Sequence, residues 1–321
     1  MGIEKKDINK KLQSIDLPDC FNSRKGWAEF LELKRIHEPH VHQIEPTNHC
    51  PYTCIMCPRT KNMDREMGFM DLNLYKKIID EISSYSDSIK SKEIELFHFG
   101  ESLLHPKIIE MIKYASEQKL KITLSVNGPH LTPFMSLNIL KEGAYKLIIS
   151  IDGYDEESYK VIRGKSADYN KAVRNIENLI NIHSELKSST IICVRIIVMD
   201  INENHSAAFC EKWKFKGIET EIREFFPWGE KEMVKLGKFE KLPHNMPCPF
   251  PWQYLVIQWN GDIVPCCRDQ NGVLKMGNVM ESSLKEIWNS KKYEFFRNNH
   301  SDGDYSEYKK CKNCMEIYSN D

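Results

Sequence analysis

The sequence alternates short runs of β-branched and apolar residues with longer amphipathic segments, and this alternation limits the folds open to the chain. It predicts βαβ units, in which helices connect parallel strands and cover the sheet. The predicted strands are Val41–Glu45, Glu93–Phe99, Lys121–Val126, Lys146–Ile151, Ile191–Met199 and Glu219–Phe225. The predicted helices include Leu72–Ile82, Lys107–Gln118, Tyr169–Leu186 and His205–Trp213. The fold class predicted from this pattern is α/β with a parallel sheet.

Short polar or glycine-containing segments follow the first four predicted strands. A cysteine-rich run at 50–57 follows the first, Gly100-Glu101 the second, Asn127-Gly128 the third and Asp152-Gly153 the fourth. Because the carboxyl ends of parallel strands lie at one edge of the sheet, we expect these segments to share a functional rim.

Bulk properties point to a cytoplasmic enzyme. The formal net charge is -1, from 45 basic and 46 acidic residues, so no nucleic-acid partner is predicted. The first residues are charged and lack the apolar core of a signal peptide. No apolar run approaches the roughly 18 residues of a membrane span, so no membrane partner is predicted either.

The distribution of the 11 cysteines favours metal chemistry. In a cytoplasmic protein, grouped cysteines indicate metal or redox sites more often than disulfides. Cys20, Cys193 and Cys210 stand alone in the sequence, whereas the other eight form two groups, one at 50–57 and one after residue 247.

The first group is Cys50, Cys54 and Cys57, in the pattern CxxxCxxC. Three thiolates on one loop can hold three irons of a 4Fe–4S cluster and leave the fourth iron open to another ligand. The alternative is a structural zinc site, for which the neighbouring His49 would supply a fourth ligand.

This motif, directly after a first strand and with Gly-Glu ending the second, resembles the radical S-adenosylmethionine (SAM) superfamily. The resemblance implies a partial (β/α)6 TIM-like barrel. It also implies that the open iron binds SAM and that an electron from a flavodoxin- or ferredoxin-type donor cleaves SAM to a 5′-deoxyadenosyl radical. That radical removes a hydrogen atom from the substrate.

The same resemblance implies which residues contact SAM. Gly100 and Glu101 resemble the family's Gly-Glu-Pro motif, in which the glutamate accepts hydrogen bonds from the SAM amino group. Asn127 lies in a segment similar to the family's Thr-Asn-Gly strand end, and Ser150 and Arg163 match positions near the ribose and carboxylate. Asp152, close to these residues, is either part of the site or a turn or capping residue.

The C-terminal part, 227–321, is predicted to be a small β-hairpin and helix module that binds metal. The hairpin comprises Tyr254–Trp259 and Asp262–Pro265 around Asn260-Gly261, and a short helix, Ser283–Asn289, follows. With this module, the predicted domains are an N-terminal helical extension at 1–40, the barrel at 41–226 and the module at 227–321.

Four cysteines of this module, Cys248, Cys266, Cys311 and Cys314, flank the hairpin and form a terminal CxxC. A zinc ribbon would show similar spacing. The surrounding sequence resembles the SPASM/twitch modules of radical SAM enzymes, which implies an auxiliary 4Fe–4S cluster held by these four thiolates. In cysteine order and in its Gly-Asn and Ile-Trp segments, the chain is similar to the butirosin-pathway class of aminocyclitol dehydrogenases.

Cys267 is a spare thiol beside the expected ligand Cys266. It is a candidate catalytic residue, because a thiol beside a carbon radical can donate a hydrogen atom, as an epimerase requires. It is also possible that Cys267 is the ligand and Cys266 the spare, or that Cys267 is only a small buried apolar residue.

The function that the resemblance implies is oxidation or epimerisation of a small polar molecule similar to an aminocyclitol or sugar. The alternatives are radical modification of a ribosomal peptide and a non-catalytic iron–sulfur or zinc protein. The candidate substrate-contacting residues lie at 223–230, namely Arg223, Glu224, Trp228 and Glu230.

Overall fold

The computed structural model describes residues 23–214, 216, 218–228, 233–237, 246–312 and 314. Residues 1–22 of the predicted N-terminal extension, together with Cys20 and Glu230, lie outside the described residues. Within the described ranges, no helix combines the length and the apolar character that crossing a bilayer requires.

All six predicted strands are present, and each neighbouring pair is parallel. Their bounds are β1 Val41–Ile44, β2 Glu93–Glu95, β3 Lys121–Asn127, β4 Lys146–Ser150, β5 Ile191–Val198 and β6 Glu219–Glu224. The predicted α/β class with a parallel sheet is therefore confirmed.

Helices follow the strands as the alternation predicts. Their bounds are α1 Arg24–Lys34, α2 Pro58–Asn62, α3 Leu72–Ser83, α4 Asp87–Lys90, α5 Ile108–Glu117, α6 Pro133–Lys141, α7 Glu156–Arg163, α8 Tyr169–Leu186, α9 Ser206–Lys214, α10 Phe250–Gln253, α11 Leu284–Trp288, α12 Lys291–Asp302 and α13 Lys309–Lys312. Side-chain caps fix where several of them begin. Asp168 accepts a hydrogen bond from the Lys171 backbone at the start of α8, and Asp155 and Ser158 form a capping box on α7.

The C-terminal part extends the same sheet. Strand β7, Leu255–Ile257, pairs in parallel with β1, and β8, Asp262–Val264, and β9, Gly277–Asn278, follow in antiparallel order. The result is one nine-stranded sheet with the order β6-β5-β4-β3-β2-β1-β7-β8-β9. The predicted hairpin is present, and its turn residue Gly261 has a positive φ of 85°, which glycine adopts without strain. The domain boundary at 227 stays a prediction, although the sheet itself runs across both parts.

The two faces of the parallel strands differ in chemistry. Alternate residues such as Ile94, Leu124 and Ile149 pack with the helices in the main apolar core. The residues between them, such as Glu95 and Ser150, point to the opposite side, because side chains alternate along a strand. The helix-covered face therefore stabilises the fold, and the inner face is left for polar groups.

The two ends of the sheet come together through an arginine and two aromatic rings. Arg268, after β8, lies 3.4 Å above the ring of Phe226 and 5.0 Å from that of Trp228, both of which follow β6. Such cation–π contacts are attractive, more so away from water. They hold the segment after β6 against the loop after β8, across the open side of the barrel.

Candidate active site

The first cysteine group lies on a loop that follows β1 and is held by the end of α7. The backbone N–H of Thr53 donates to the carbonyl of Arg163 at 3.2 Å, and that of Ile55 donates to Ile162 at 2.9 Å. Cys57 closes the loop by donating to the Cys54 carbonyl at 3.2 Å. The structure thus holds the three motif cysteines on one compact loop at the predicted rim.

The burial of these thiols favours metal binding. Burial raises the pKa of Cys50 to about 11 and that of Cys54 to about 12, and it also raises the pKa of Cys57. Buried thiolates are therefore unfavourable unless a cation replaces their protons, which is what metal binding does. His49, the candidate fourth zinc ligand, stacks on Phe69 with the ring centroids 4.6 Å apart.

Glu101 is fully buried at the end of the second strand segment and is held by three N–H donors. Its carboxylate accepts from the Leu103 backbone at 3.0 Å, from the Asn127 backbone at 2.8 Å and from the Asn127 side chain at 2.6 Å. Burial nevertheless raises the pKa of Glu101 above its ordinary value. A cationic ligand group beside it would stabilise the ionised carboxylate, which fits the ammonium group of SAM.

Arg163 joins the cysteine loop to this carboxylate site. Its Nη1 donates to Asn127 Oδ1 at 2.7 Å and lies 4.0 Å from Cys54 Sγ, and its Nη2 forms an ion pair with Asp152. Burial lowers the pKa of Arg163, but Asp152 more than compensates, so the pKa is raised and the guanidinium stays charged. Its buried Nε has no acceptor among the described residues, which leaves one donor for a ligand.

Asp152 and Ser150 are placed by the end of β4. Asp152 accepts from the Ile197 backbone at 2.7 Å and pairs with Arg163, so it supports the site rather than capping a helix. The residue that caps the following helix, α7, is Asp155 and not Asp152. Ser150 stands in register between Asn127 on β3 and Arg195 on β5, at the same rim as the other predicted SAM contacts.

Gly100 is required by close backbone packing. A β-carbon there would collide with the carbonyl oxygen of Thr47. The Glu101 backbone N–H donates to the His49 carbonyl at 2.8 Å, so this close approach fixes Glu101 against the cysteine loop.

The four predicted auxiliary ligands line one cavity. Its wall includes Cys248, Cys266, Cys311 and Cys314, together with Phe226, Trp228 and Arg268 from the open side of the barrel. Among the described residues, Cys266 and not Cys267 belongs to this wall. The donor set, four soft thiols on a largely apolar wall, fits a 4Fe–4S cluster.

Cys267 points elsewhere. Its Sγ lies 3.7 Å from the Tyr254 hydroxyl, and its carbonyl contacts His98 Nε2 at 2.8 Å. Burial raises the pKa of Tyr254, and Cys267 raises it further. A hydrogen bond with Cys267 and burial both raise the pKa of Cys266, which makes the two thiols electrostatically interdependent.

Sequence reasoning missed a buried ion pair at the junction of β1 with the hairpin. Glu45 is fully buried, accepts two bonds from Arg65 at 2.7 and 2.5 Å, and accepts one from the Trp259 backbone at 3.1 Å. Burial lowers the pKa of the adjacent His98 to about 4. The available signal was an acidic residue directly after the first strand, five residues before Cys50.

The predicted substrate-contacting residues divide. Arg223 pairs with Glu221 at 2.5 Å, while Glu224 borders a separate small cavity with Asp200 and Glu203. Trp228 lies between the Phe99 ring, 5.6 Å away, and Arg268. Its positive φ of 54° is unusual for a non-glycine residue.

In the part of the chain that the structure describes, no three histidine, cysteine or carboxylate side chains converge closely enough to hold a single metal ion.

Two family models match this chain. The radical SAM superfamily model covers residues 44–208, just over half of the chain. The SPASM model, an iron–sulfur cluster-binding domain, covers residues 248–315.

Curated relatives span most of the chain. A tungsten-containing aldehyde ferredoxin oxidoreductase cofactor-modifying protein from Pyrococcus furiosus is 23% identical over 299 residues, 79% of this chain and 82% of the relative. The S-adenosyl-L-methionine-dependent 2-deoxy-scyllo-inosamine dehydrogenase of Niallia circulans is 23% identical over 279 residues, 86% of this chain and 92% of the relative.

Solved structures share the fold. BtrN in complex with AdoMet and 2-DOIA aligns with a TM-score of 0.56 at 20% identity, covering 86% of this chain and 92% of BtrN. Streptococcus suis SuiB bound to S-adenosylmethionine aligns with a TM-score of 0.65 at 13% identity, covering 90% of this chain and 78% of SuiB. The predicted resemblance to the butirosin-pathway dehydrogenases is confirmed, as are an enzyme function and the SAM, 4Fe–4S and auxiliary iron–sulfur cofactors. The chain belongs to the radical SAM superfamily and carries a C-terminal SPASM domain.

Proposed function

We propose that this enzyme oxidises a small polyhydroxylated molecule of the aminocyclitol or sugar class. The observation that carries the proposal is the position of the four-cysteine cavity at the open side of the barrel. Phe226 and Trp228, which follow β6, form part of its wall together with Arg268. A cluster in this cavity would lie beside the barrel interior, where a substrate radical needs an electron acceptor.

The residues have distinct roles in this proposal. Cys50, Cys54 and Cys57 hold the first cluster, Cys248, Cys266, Cys311 and Cys314 hold the second, and Gly100, Glu101, Asn127, Ser150 and Arg163 bind SAM. When bound, the first cluster and SAM supply a 5′-deoxyadenosyl radical that removes a hydrogen atom from the substrate. The auxiliary cluster supplies an acceptor for the electron left on the substrate. Glu101 and Arg163 orient SAM through opposite charges, because one is a buried carboxylate and the other a buried guanidinium.

The relative from Niallia circulans, 92% of which is covered, is named as a 2-deoxy-scyllo-inosamine dehydrogenase. A flavodoxin- or ferredoxin-type protein supplies the reducing electron. Grouped thiols of this kind are typical of a reducing compartment, so we place the enzyme in the cytoplasm.

The test is anaerobic turnover by reconstituted, reduced protein with SAM and a panel of cyclitols that includes 2-deoxy-scyllo-inosamine and the inositols. The expected result is a ketone formed in step with 5′-deoxyadenosine. Reactions without cyclitol measure uncoupled SAM cleavage. SAM cleavage without oxidation of any cyclitol would contradict the proposal and favour a peptide substrate. Absence of 5′-deoxyadenosine in every reaction would instead favour a non-catalytic iron–sulfur or zinc protein.

A second candidate reaction, epimerisation, is favoured by the position of Cys267. Its thiol lies 3.7 Å from the Tyr254 hydroxyl, and Cys267 is not part of the cavity wall formed by the described residues. In deuterated water an epimerase would place one solvent deuterium in the product. The Cys267→Ala variant would then cleave SAM without completing turnover. Normal ketone formation by this variant, with no solvent label, would exclude the hydrogen-donor role.

A further inference from the structure

The inner face of the barrel carries a hydrogen-bonded group between β1 and β2 that the SAM site does not use. Gln43 Nε2 donates to Glu95 Oε2 at 2.6 Å, and the same oxygen lies 3.6 Å from His42 Nε2. Gln43 and Glu95 are also paired in the β1–β2 register. β1 is irregular between Val41 and Gln43, so the consecutive residues His42 and Gln43 both reach Glu95, and a carboxylate and an imidazole are held side by side.

Other charged groups face this pair from β5 and β6. Arg195 donates to Glu221 through Nε and Nη2, both at 2.9 Å, and Glu221 also pairs with Arg223. Burial lowers the pKa of Arg195, and Glu95 is near enough to oppose that shift. Burial also lowers the pKa of His42, with Glu95 opposing and Arg223 adding to the effect. This lowered pKa favours the neutral imidazole, whose Nε2 faces Glu95.

One atom of the group points to a ligand. Gln43 is 8% exposed, and its Oε1 is buried and finds no donor among the residues that the structure describes. A buried acceptor without a donor is costly. The hydroxyl of a bound molecule would satisfy it and would then lie beside Glu95.

The group also has an outlet to solvent. His42 and Tyr254 line a cavity of about 630 Å³ together with His40 and Lys92. His40, Lys92 and Tyr254 directly precede β1, β2 and β7, so this cavity lies at the strand ends opposite the SAM rim. A proton that reaches His42 from the barrel interior can therefore leave without crossing the SAM site.

We propose that Glu95 accepts the hydroxyl proton of the substrate radical and that His42 passes it to the cavity of about 630 Å³ at the opposite strand ends, called the lower cavity below. The proposal rests on the oxidation proposed above. When bound, the SAM-derived 5′-deoxyadenosyl radical would take the hydrogen atom of the alcohol carbon and the auxiliary cluster would take the remaining electron, while Glu95 accepts the hydroxyl proton. The C–O bond becomes C=O. A carboxylate is a sufficient base, because the hydroxyl of such a radical is far more acidic than that of an alcohol.

The first test compares Glu95→Gln with Glu93→Gln. Both changes are isosteric and lie on β2, but Glu93 accepts from Thr123 at 2.8 Å, two residues nearer the start of the strand. With the cyclitol oxidised by the wild type, Glu95→Gln should keep SAM cleavage while ketone formation falls by about 10²-fold. A deuterium label on the substrate carbon should then return to SAM, because hydrogen abstraction reverses when the proton is not removed. Glu93→Gln should match the wild type.

The second test addresses the outlet and uses His42→Ala. Ketone formation should fall, and added imidazole should restore it, because the lower cavity is wide enough to admit that molecule. Imidazole should leave Glu95→Gln and the wild type unchanged. A structural role for His42 would not be rescued in this way.

The third test requires no turnover. Calorimetric titration of oxidised, SAM-loaded protein with the same cyclitol should show about tenfold weaker binding to Gln43→Leu than to the wild type or Glu93→Gln. Iron content confirms that each variant is folded and loaded.

The outcomes separate the two proposals. Full ketone formation by Glu95→Gln, or equal binding by Gln43→Leu, overturns the role of this group while leaving oxidation intact. Failure of imidazole rescue overturns the His42 outlet. If the wild type oxidises no cyclitol, both the proposed function and this inference are overturned.

Discussion

Glu101 and Arg163 show how single residues determine the electrostatics of the proposed SAM site. Each is a buried charge that would be costly alone, and each is stabilised by specific partners, Asn127 for both and Asp152 for the arginine. Removing one partner of a buried pair typically costs about 3–5 kcal/mol, because the other charge remains buried. The site is therefore sensitive to small changes in its supporting residues.

Replacement of Cys50, Cys54 and Cys57 together by alanine should remove about four irons and abolish SAM cleavage, because no other thiols lie on that loop. The measurements are iron content and 5′-deoxyadenosine after anaerobic reconstitution. Cys210→Ala, on α9, is the control and should behave as the wild type. Continued 5′-deoxyadenosine formation by the triple variant would falsify the assignment of this loop.

Gly100→Ala should disrupt SAM binding, because its β-carbon would collide with the Thr47 carbonyl and push Glu101 away from the cysteine loop. We expect at least a tenfold loss of SAM affinity in an equilibrium binding measurement, since a loss of about 1.4 kcal/mol of binding free energy is enough for that change. Gly26→Ala, within α1, tests the same change where a helix favours alanine. Unchanged SAM affinity in Gly100→Ala would show that the loop can shift freely.

At the scale of elements, the auxiliary site is assembled from parts far apart in sequence. Cys248 precedes α10, Cys266 follows β8, and Cys311 lies in α13. These elements meet only because β7 docks on β1 and α12 packs nearby. The proposed ligand set therefore depends on tertiary structure.

Vicinal variants should distinguish the auxiliary ligand from its neighbour. Wild type should hold about eight irons, Cys266→Ala about four, and Cys267→Ala about eight, because only Cys266 faces the cavity. Iron and zinc are measured together by plasma emission. Wild type with about four irons and one tightly bound zinc would indicate a zinc ribbon. Loss of iron in Cys267→Ala but not in Cys266→Ala would show that Cys267 is the ligand and Cys266 is not.

Some elements were predictable because their signals are local. Helix α8 occupies the predicted range Tyr169–Leu186, since Asp168 caps it and its apolar residues repeat at helical spacing. Strand β2 is shorter than predicted, ending at Glu95 rather than Phe99. The chain leaves the sheet there so that His98 can reach Cys267, a contact between residues far apart in sequence.

The candidate site, too, has some features with local sequence signals and others that depend on tertiary packing. The placement of the three motif cysteines, Gly100 and Glu101 at one rim was predictable, because spacing and position after a strand carry that signal, whereas their roles stay a prediction. The Glu45–Arg65 pair and the choice between Cys266 and Cys267 were not, because they depend on how β7 and the following loop pack against β1. No local pattern records that packing.

For the whole molecule, the Glu45–Arg65 pair tests how far the barrel and the hairpin depend on each other. Arg65→Met should lower the free energy of unfolding by about 3–5 kcal/mol, because the buried Glu45 carboxylate loses its cation. Lys90→Met, which breaks the exposed pair with Asp87, should change it by no more than about 1 kcal/mol. Chemical denaturation of the anaerobic holoenzyme measures both. Equal effects would mean that water reaches Glu45.

The pairing of β7 with β1 limits how this enzyme can be recombined with its relatives. In a chimera joined between the barrel and the SPASM domain, β7 would come from another protein and would have to pair with Val41 and Ile44 in the same register. The residue in place of Trp259 would also have to donate its backbone N–H to Glu45. Exchange of the C-terminal part alone should therefore give misfolded hybrids, whereas exchange of β1 and β7 together should preserve the seam. In this architecture, β1 and β7 form the smallest part that can be exchanged as a whole.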